Sequence, residues 1–267
     1  MADLLENLDV IAEALKEGDF GLLSDFDGTL SRIAPTPAQA AISPRARRCL
    51  SALSPCLKLV AVISGRSLED IRDMVGLENI TYVGNHGLEL WVDGKVETTG
   101  DAAVFRRRLD EARAAVEPML REDGVLLEDK GASATIHYRL SRQPQQIEAR
   151  LLERLEKIGG LRLMKGKMSL NIIPPLAVSK GSITEELVRR FKLKSAVYLG
   201  DDVTDIDAFK ALKIASLKPG FKGFAIAVTG DEAPPELAEE ADYTLSGIGA
   251  VERFLNWLRR QAAPPAR

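Results

Sequence analysis

Leu22-Leu23-Ser24-Asp25-Phe26-Asp27-Gly28-Thr29-Leu30 is the stretch whose reading decides the fold. A short apolar run stops at two acids one residue apart and passes into Gly-Thr. An apolar run of this length that ends in glycine is the pattern of a buried strand leaving its sheet. In a parallel α/β sheet the ligand crevice lies beyond the carboxyl ends of the strands, so Asp25 and Asp27 are expected at its mouth. Two carboxylates so close repel each other unless a cation or a shared proton intervenes. Oxygen-only ligands suit a hard cation such as Mg²⁺, which takes one or two carboxylates and keeps several waters. Gly28 lets the backbone approach a ligand, and the N–H groups that follow it can cradle an anion.

Working outward, the chain alternates as an α/β protein should. Leu4, Leu5, Leu8, Ile11 and Leu15 recur at helical spacing, which predicts an amphipathic helix at the start. Residues 32–41 carry two prolines and read as a loop beside the crevice. Ser43-Pro44 reads as an N-cap and first helical position, with a helix to about Leu53. Residues 59–63 form a buried strand that ends in Ser64-Gly65-Arg66, and Ser67 opens the next helix. Tyr82-Val83 leads into Gly84-Asn85-His86-Gly87, and residues 88–98 read as a hairpin around Asp93-Gly94.

The alternation resumes at Lys180 with a helix to Arg190. A strand over 196–199 then runs into Gly200-Asp201-Asp202-Val203-Thr204-Asp205. A helix over 207–212, a strand over 224–228, a helix over 234–241, a short edge strand over 243–245 and a helix over 248–261 complete the chain. Between the two halves the texture changes. A long charged helix (101–120), two antiparallel strands (125–130 and 134–139), a helix from Pro144 to about Ile158 and a second hairpin (161–164, 168–173) interrupt the pattern. This predicts a parallel-sheet core over 1–100 and 177–267 with an α+β cap domain inserted at 101–176.

Composition excludes several classes. A net charge of -3 gives no reason to expect nucleic acid or an anionic membrane as partner. No apolar run is long enough to span a bilayer. The first 18 residues carry Asp3, Glu6, Asp9 and Glu13 through their apolar positions, unlike a signal peptide. Cys49 and Cys56 fit neither a disulfide framework nor a metal site and read as reduced thiols. A cytoplasmic monomer is expected.

Taken together, the element ends meet the demands of phosphate-ester cleavage. Asp25 would attack phosphorus and form an aspartyl-phosphate. Asp27 would protonate the leaving sugar oxygen and then activate water. Ser64 and the Gly28-Thr29 backbone would hold phosphate oxygens, and Lys180 would neutralise them. Asp201 would complete the metal site, with Asp202 and Asp205 fixing it directly or through its ligands. Asn85 is a sugar or phosphate contact, with His86 orienting its loop. Arg66 contacts phosphate or sugar, or caps a helix. In the cap, Glu128 and Lys130 share one strand face by the two-residue period, and Lys167 and Asn171 fall on the neighbouring hairpin. These four residues either grip a polyol or make a solvated charged face. His137 reads as a packing histidine, and Arg106-Arg107-Arg108 as a solvated helix face.

The ordered set Asp25-Phe26-Asp27-Gly28-Thr29, Ser64, Lys180 and Gly200-Asp201-Asp202-Val203-Thr204-Asp205 resembles the haloacid dehalogenase superfamily. Within it, Ile63-Ser64-Gly65-Arg66, Gly84-Asn85-His86-Gly87-Leu88-Glu89, Lys180-Gly181 and Asp207-Ala208-Phe209 are similar to the trehalose-6-phosphate phosphatases. The resemblance implies a Rossmannoid core with a type C2B cap. It also implies Mg²⁺-dependent hydrolysis of trehalose 6-phosphate, with Asp25, the Asp27 carbonyl and Asp201 on the metal. Two places depart from the family. Its Glu-Ile-Arg-Pro-like cap run is Asn171-Ile172-Ile173-Pro174 here, and its Thr-Asp-Glu-Asp-Ala-Phe is Thr204-Asp205-Ile206-Asp207-Ala208-Phe209. The first puts a neutral amide where a carboxylate would accept sugar hydroxyls. It motivates an alternative, a phosphatase of another glycosyl phosphate. A non-catalytic sugar-phosphate sensor would have lost Asp25 or Asp27, and both are present.

Overall fold

The computed structural model describes residues 2–33, 39–98, 102–122, 124–129, 133–166, 168–173, 179–230 and 233–263. By backbone proximity the chain divides into two units, Met1–Glu97 with Ser179–Arg267, and Thr98–Val178.

The first unit begins with β1 (Ala2–Asp3), α1 (Asp9–Lys16), β2 (Phe20–Ser24), α2 (Pro44–Leu53), β3 (Leu59–Ile63), α3 (Leu68–Val75), β4 (Thr81–Gly84), β5 (Glu89–Val92) and β6 (Lys95–Thr98). The second unit contains α4 (Ala102–Val116), β7 (Leu126–Asp129), β8 (Ala134–His137), α5 (Pro144–Glu156), β9 (Arg162–Gly166) and β10 (Ser169–Ile173). The first unit then resumes with α6 (Lys180–Arg190), β11 (Ser195–Gly200), α7 (Val203–Ser216), β12 (Lys222–Thr229), α8 (Pro235–Glu240), β13 (Tyr243–Ser246) and α9 (Gly247–Ala262).

The strands of the first unit form one sheet in the order β1-β13-β12-β11-β2-β3-β4-β5-β6. Pairing is parallel from β1 through β4, and β5 turns back antiparallel on β4. Parallel sheets are covered on both faces, which is why every residue of β2, β3 and β11 is buried. Alternate residues serve opposite layers. Leu22, Val60, Val62, Val197 and Leu199 pack with α1, α2, α3 and α9 through Ile11, Leu50, Ile71 and Phe254. Leu23, Ala61, Ile63, Ala196 and Tyr198 pack with α6, α7 and α8 through Leu187, Phe209 and Leu237.

Local chemistry sets the helix ends. Ser43 Oγ accepts the Ala46 N–H at 3.0 Å, with Pro44 in the first turn of α2. Three differences from the sequence expectation matter for how the first unit is built. The first helix is split: Asp3 accepts the Leu5 N–H at 2.8 Å and caps a 3₁₀ turn over Leu4–Glu6, so α1 starts only at Asp9. α7 runs from Val203 to Ser216 rather than over 207–212, because Asp205 turns back to accept the Asp202 N–H and anchors the helix start upstream. β13 is not an edge strand, since β1 pairs parallel outside it with Ala2 opposite Tyr243 and Asp3 opposite Thr244.

In the second unit β7-β8-β10-β9 form an antiparallel sheet. Leu127, Ile136, Leu170 and Ile172 pack on Leu109 of α4 and Leu151 and Leu155 of α5. The opposite face carries Glu128, Thr135 and Asn171 in cross-strand register. α4 stops at Val116, two residues before Pro118, which has no N–H to continue the helix and falls in a 3₁₀ turn.

Candidate active site

β2 and β11 lie side by side, so the loops after them meet. The Asp25 N–H donates to Leu199 C=O at 2.8 Å. Gly28 has φ of 80°, and a Cβ there would stand 1.9 Å from Asp201 Oδ2, so only glycine lets the two loops approach. Thr29 Oγ1 donates to Asp201 Oδ1 at 3.1 Å.

Lys180 enters at the first turn of α6, whose cap is Ser179; the Ser179 hydroxyl accepts the Gly181 N–H at 3.1 Å. Lys180 is 3% exposed, and its Nζ donates to Asp25 Oδ1 at 2.6 Å and to Asp205 Oδ1 at 2.7 Å. Asp205, wholly buried, also accepts the Tyr198 hydroxyl at 2.8 Å on Oδ1 and the Asp201 and Asp202 N–H groups at 3.1 and 3.0 Å on Oδ2. Asp202 is exposed at the helix start, beside the Thr204 hydroxyl.

Asp25, Asp201 and Asp205 each offer an oxygen within 4.8 Å of the others. Burial pushes the Asp25 carboxyl well above the usual range; Lys180 opposes the rise, and Asp205 and Asp201 add to it. Burial, then the charge of Asp205, pushes Asp201 up to about 7. Burial alone would lower Lys180, but the charges of Asp205 and Asp25 outweigh it, and the ammonium stays protonated. Burial and the charge of Asp205 likewise hold the Tyr198 phenol far above its ordinary value, so it remains a donor. Three carboxylates against one ammonium leave the cluster short of positive charge. A hard divalent cation on oxygen donors fits that deficit.

The loops after β3 and β4 interlock on the neighbouring flank. Asn85, His86 and Gly87 all have positive φ, at 51°, 59° and 117°. In this conformation the Asn85 N–H reaches Arg66 C=O at 2.7 Å and the His86 N–H reaches Ser64 C=O at 3.0 Å. The His86 ring covers Gly65, where a Cβ would stand 2.5 Å from its Cε1. Ser64 is buried, and its Oγ accepts the Arg66 N–H at 3.1 Å. Arg66 donates to both oxygens of Asp27, from Nε at 2.7 Å and from Nη2 at 2.6 Å.

The core therefore brings Asp25, Lys180, Asp201 and Asp205 into one cluster and joins Asp27 to Arg66. Asn85 is buried and its amide donates to Glu89 Oε2 at 2.6 Å, so in this structure it braces the loop. In the second unit His137 Nε2 and Glu128 Oε2 are 2.8 Å apart, so the half-buried ring has a hydrogen-bond partner on the neighbouring strand. Asn171 Oδ1 accepts the Thr135 hydroxyl at 2.8 Å. Lys130 and Lys167 lie outside the described residues.

Sequence reading missed Tyr198 and the Thr29 side chain. A signal for Tyr198 was available. It lies in a buried strand, two residues before Gly200 on the same face, and a buried phenol needs an acceptor.

A parallel sheet that gathers these acids and a lysine beyond its strand ends is the arrangement of a haloacid dehalogenase-like fold. Residues 23–246 match the family described as Trehalose-phosphatase, and the chain belongs to that family. It is 34% identical over 218 residues to an uncharacterized glycosyl hydrolase of Mycobacterium tuberculosis, covering 78% of this chain and 16% of that protein. It is 32% identical over 245 residues to a trehalose-phosphate phosphatase of Mycobacterium marinum, covering 89% of this chain and 60% of that protein. The chain thus spans less than two thirds of either relative. Among solved structures, the C-terminal domain of C. albicans trehalose-6-phosphate phosphatase matches with a TM-score of 0.76 at 24% identity, covering 94% of this chain and 96% of that one.

Proposed function

We propose that this protein hydrolyses a sugar phosphate monoester, trehalose 6-phosphate first among them, through an aspartyl-phosphate. The observation that carries the reading is Lys180 held between Asp25 and Asp205 beside Asp201. Lys180 fixes one oxygen of Asp25, and the other attacks phosphorus as the bond to the sugar oxygen breaks. Asp27 gives the leaving oxygen its proton, then takes one from the water that cleaves the aspartyl-phosphate. Ser64 and the third Nζ–H of Lys180 receive phosphate oxygens. Mg²⁺, held by Asp25, Asp201 and the Asp27 carbonyl, would polarise the phosphoryl group and offset its charge. Asp202 and Asp205 support that site, while Arg66 engages the phosphate or sugar. Glu128, Lys130, Lys167 and Asn171 are assigned to sugar recognition.

A second reading keeps the chemistry and changes the sugar. It is favoured by the Asn171 amide, which is neutral and whose oxygen is already engaged by Thr135. A panel of sugar phosphates assayed by phosphate release separates the two. Highest kcat/KM on trehalose 6-phosphate is expected; comparable or better turnover of another disaccharide phosphate would replace it. No release from any member of the panel would end both readings.

A further inference from the structure

Asp205 is a carboxylate with every acceptor position taken. A carboxylate offers about four lone pairs, and Asp205 meets four donors: Tyr198 and Lys180 on Oδ1, and the Asp201 and Asp202 N–H groups on Oδ2. Its oxygens nevertheless lie close enough to those of Asp25 and Asp201 to share an ion with them. Three of the donors have their own place in the site, since Lys180 also holds Asp25 and the two N–H groups belong to the Asp201-Asp202 turn.

Tyr198 is different. Its ring packs in the core between sheet and helices, edge-on to Phe209 with centroids 6.0 Å apart, contacts that do not involve the hydroxyl. Its hydroxyl, among the described residues, bonds to Asp205 alone. A buried hydroxyl costs stability unless it is bonded, so Tyr198 and Asp205 are tied to each other.

We propose that Tyr198 is a positioning residue that withholds Asp205 from the divalent ion and so sets the ion preference of the site. With the hydroxyl in place, two carboxylates remain for the ion, those of Asp25 and Asp201, the number Mg²⁺ accepts while keeping its waters. Ca²⁺ takes six to eight oxygens and gains from an added carboxylate. Removing the hydroxyl leaves Asp205 Oδ1 with an unused lone pair in the same acidic cluster. The inference rests on the reading that a divalent ion binds at Asp25 and Asp201.

The test is calorimetric titration of Mg²⁺ and of Ca²⁺ into the metal-free full chain, without substrate, for the natural protein and Tyr198→Phe. The Ca²⁺-to-Mg²⁺ affinity ratio should rise about tenfold in the variant, the scale on which residues behind metal ligands alter metal affinity. An unchanged ratio, in a variant with the natural near-ultraviolet dichroism, overturns the role of Tyr198 and leaves the metal reading standing. A natural protein that binds neither ion overturns both. Should the variant fail to fold, Mn²⁺ soaked into crystals of the natural chain decides. An ion on Asp25 and Asp201 with both Asp205 oxygens outside its coordination sphere is the expected result, and direct coordination by Asp205 overturns the inference.

Discussion

Arg66 grips both oxygens of Asp27, with Nε and Nη2 each within 2.7 Å of a separate oxygen. This is the parallel two-bond geometry that a guanidinium makes with a carboxylate, and a lysine cannot copy it. While it lasts, the residue assigned to move protons faces Arg66 instead of an ester. A phosphate dianion competes for the same guanidinium, so substrate arrival would free Asp27. Arg66→Ala and Arg66→Lys should both raise KM by roughly tenfold or more, the scale of one lost charge-assisted bond. Steady-state kinetics check this, and recovery of KM in the lysine variant would count against the fork.

Asp25→Asn should lower phosphate release by at least ~10³-fold, as loss of a nucleophile does elsewhere. The amide is nearly the same size and keeps an oxygen toward Lys180, so the variant should fold and still bind the substrate. Turnover near the natural level would remove the aspartyl-phosphate.

Gly28→Ala places a methyl group into Asp201 Oδ2 and onto a backbone with φ of 80°. Asp201 must swing away, breaking its bond from Thr29. Calorimetry should show Mg²⁺ affinity falling by about tenfold or more, with a lower melting temperature from a backbone strain of order 1–3 kcal/mol. An alanine variant that binds Mg²⁺ normally would show that the loops can separate without harm.

The raised carboxyls give a pH signature. Asp201 titrates near 3.8 when unfolded and at about 7 in the metal-free fold, and Asp25 shifts in the same direction. Between those values the folded state binds more protons than the unfolded one, so metal-free stability should fall as pH rises from about 4 to 7. Mg²⁺ replaces those protons, so the stabilisation it confers should grow over the same interval. Melting curves with EDTA and with Mg²⁺ at several pH values test this; a Mg²⁺ effect independent of pH would contradict it.

Much of this was legible in the amino acids because parallel strands leave apolar runs and the clustered acids stand at their ends. Asp25, Ser64 and Asp201 each follow such a run directly. β1 was invisible, since two residues carry no alternation, and its absence made β13 look like an edge. The fork between Arg66 and Asp27 and the four donors on Asp205 depend on side-chain directions across distant segments, which spacing does not encode. Asn85 is buried with its amide on Glu89, a partner four residues on that spacing alone does not single out.

β2, the strand that delivers Asp25, lies between β3 and β11. On a ribosome it can pair with β3 soon after it emerges. Its other side stays bare until the strand beginning at Ser195 has been made, about 170 residues later and on the order of 10–30 s at ordinary elongation rates. For that interval a hydrophobic strand waits with half its ladder unmatched, while the whole intervening unit is synthesised. The nascent chain is therefore open to wrong pairing at the strand that carries Asp25, and slowing translation between residues 98 and 195 should lengthen its dependence on chaperones.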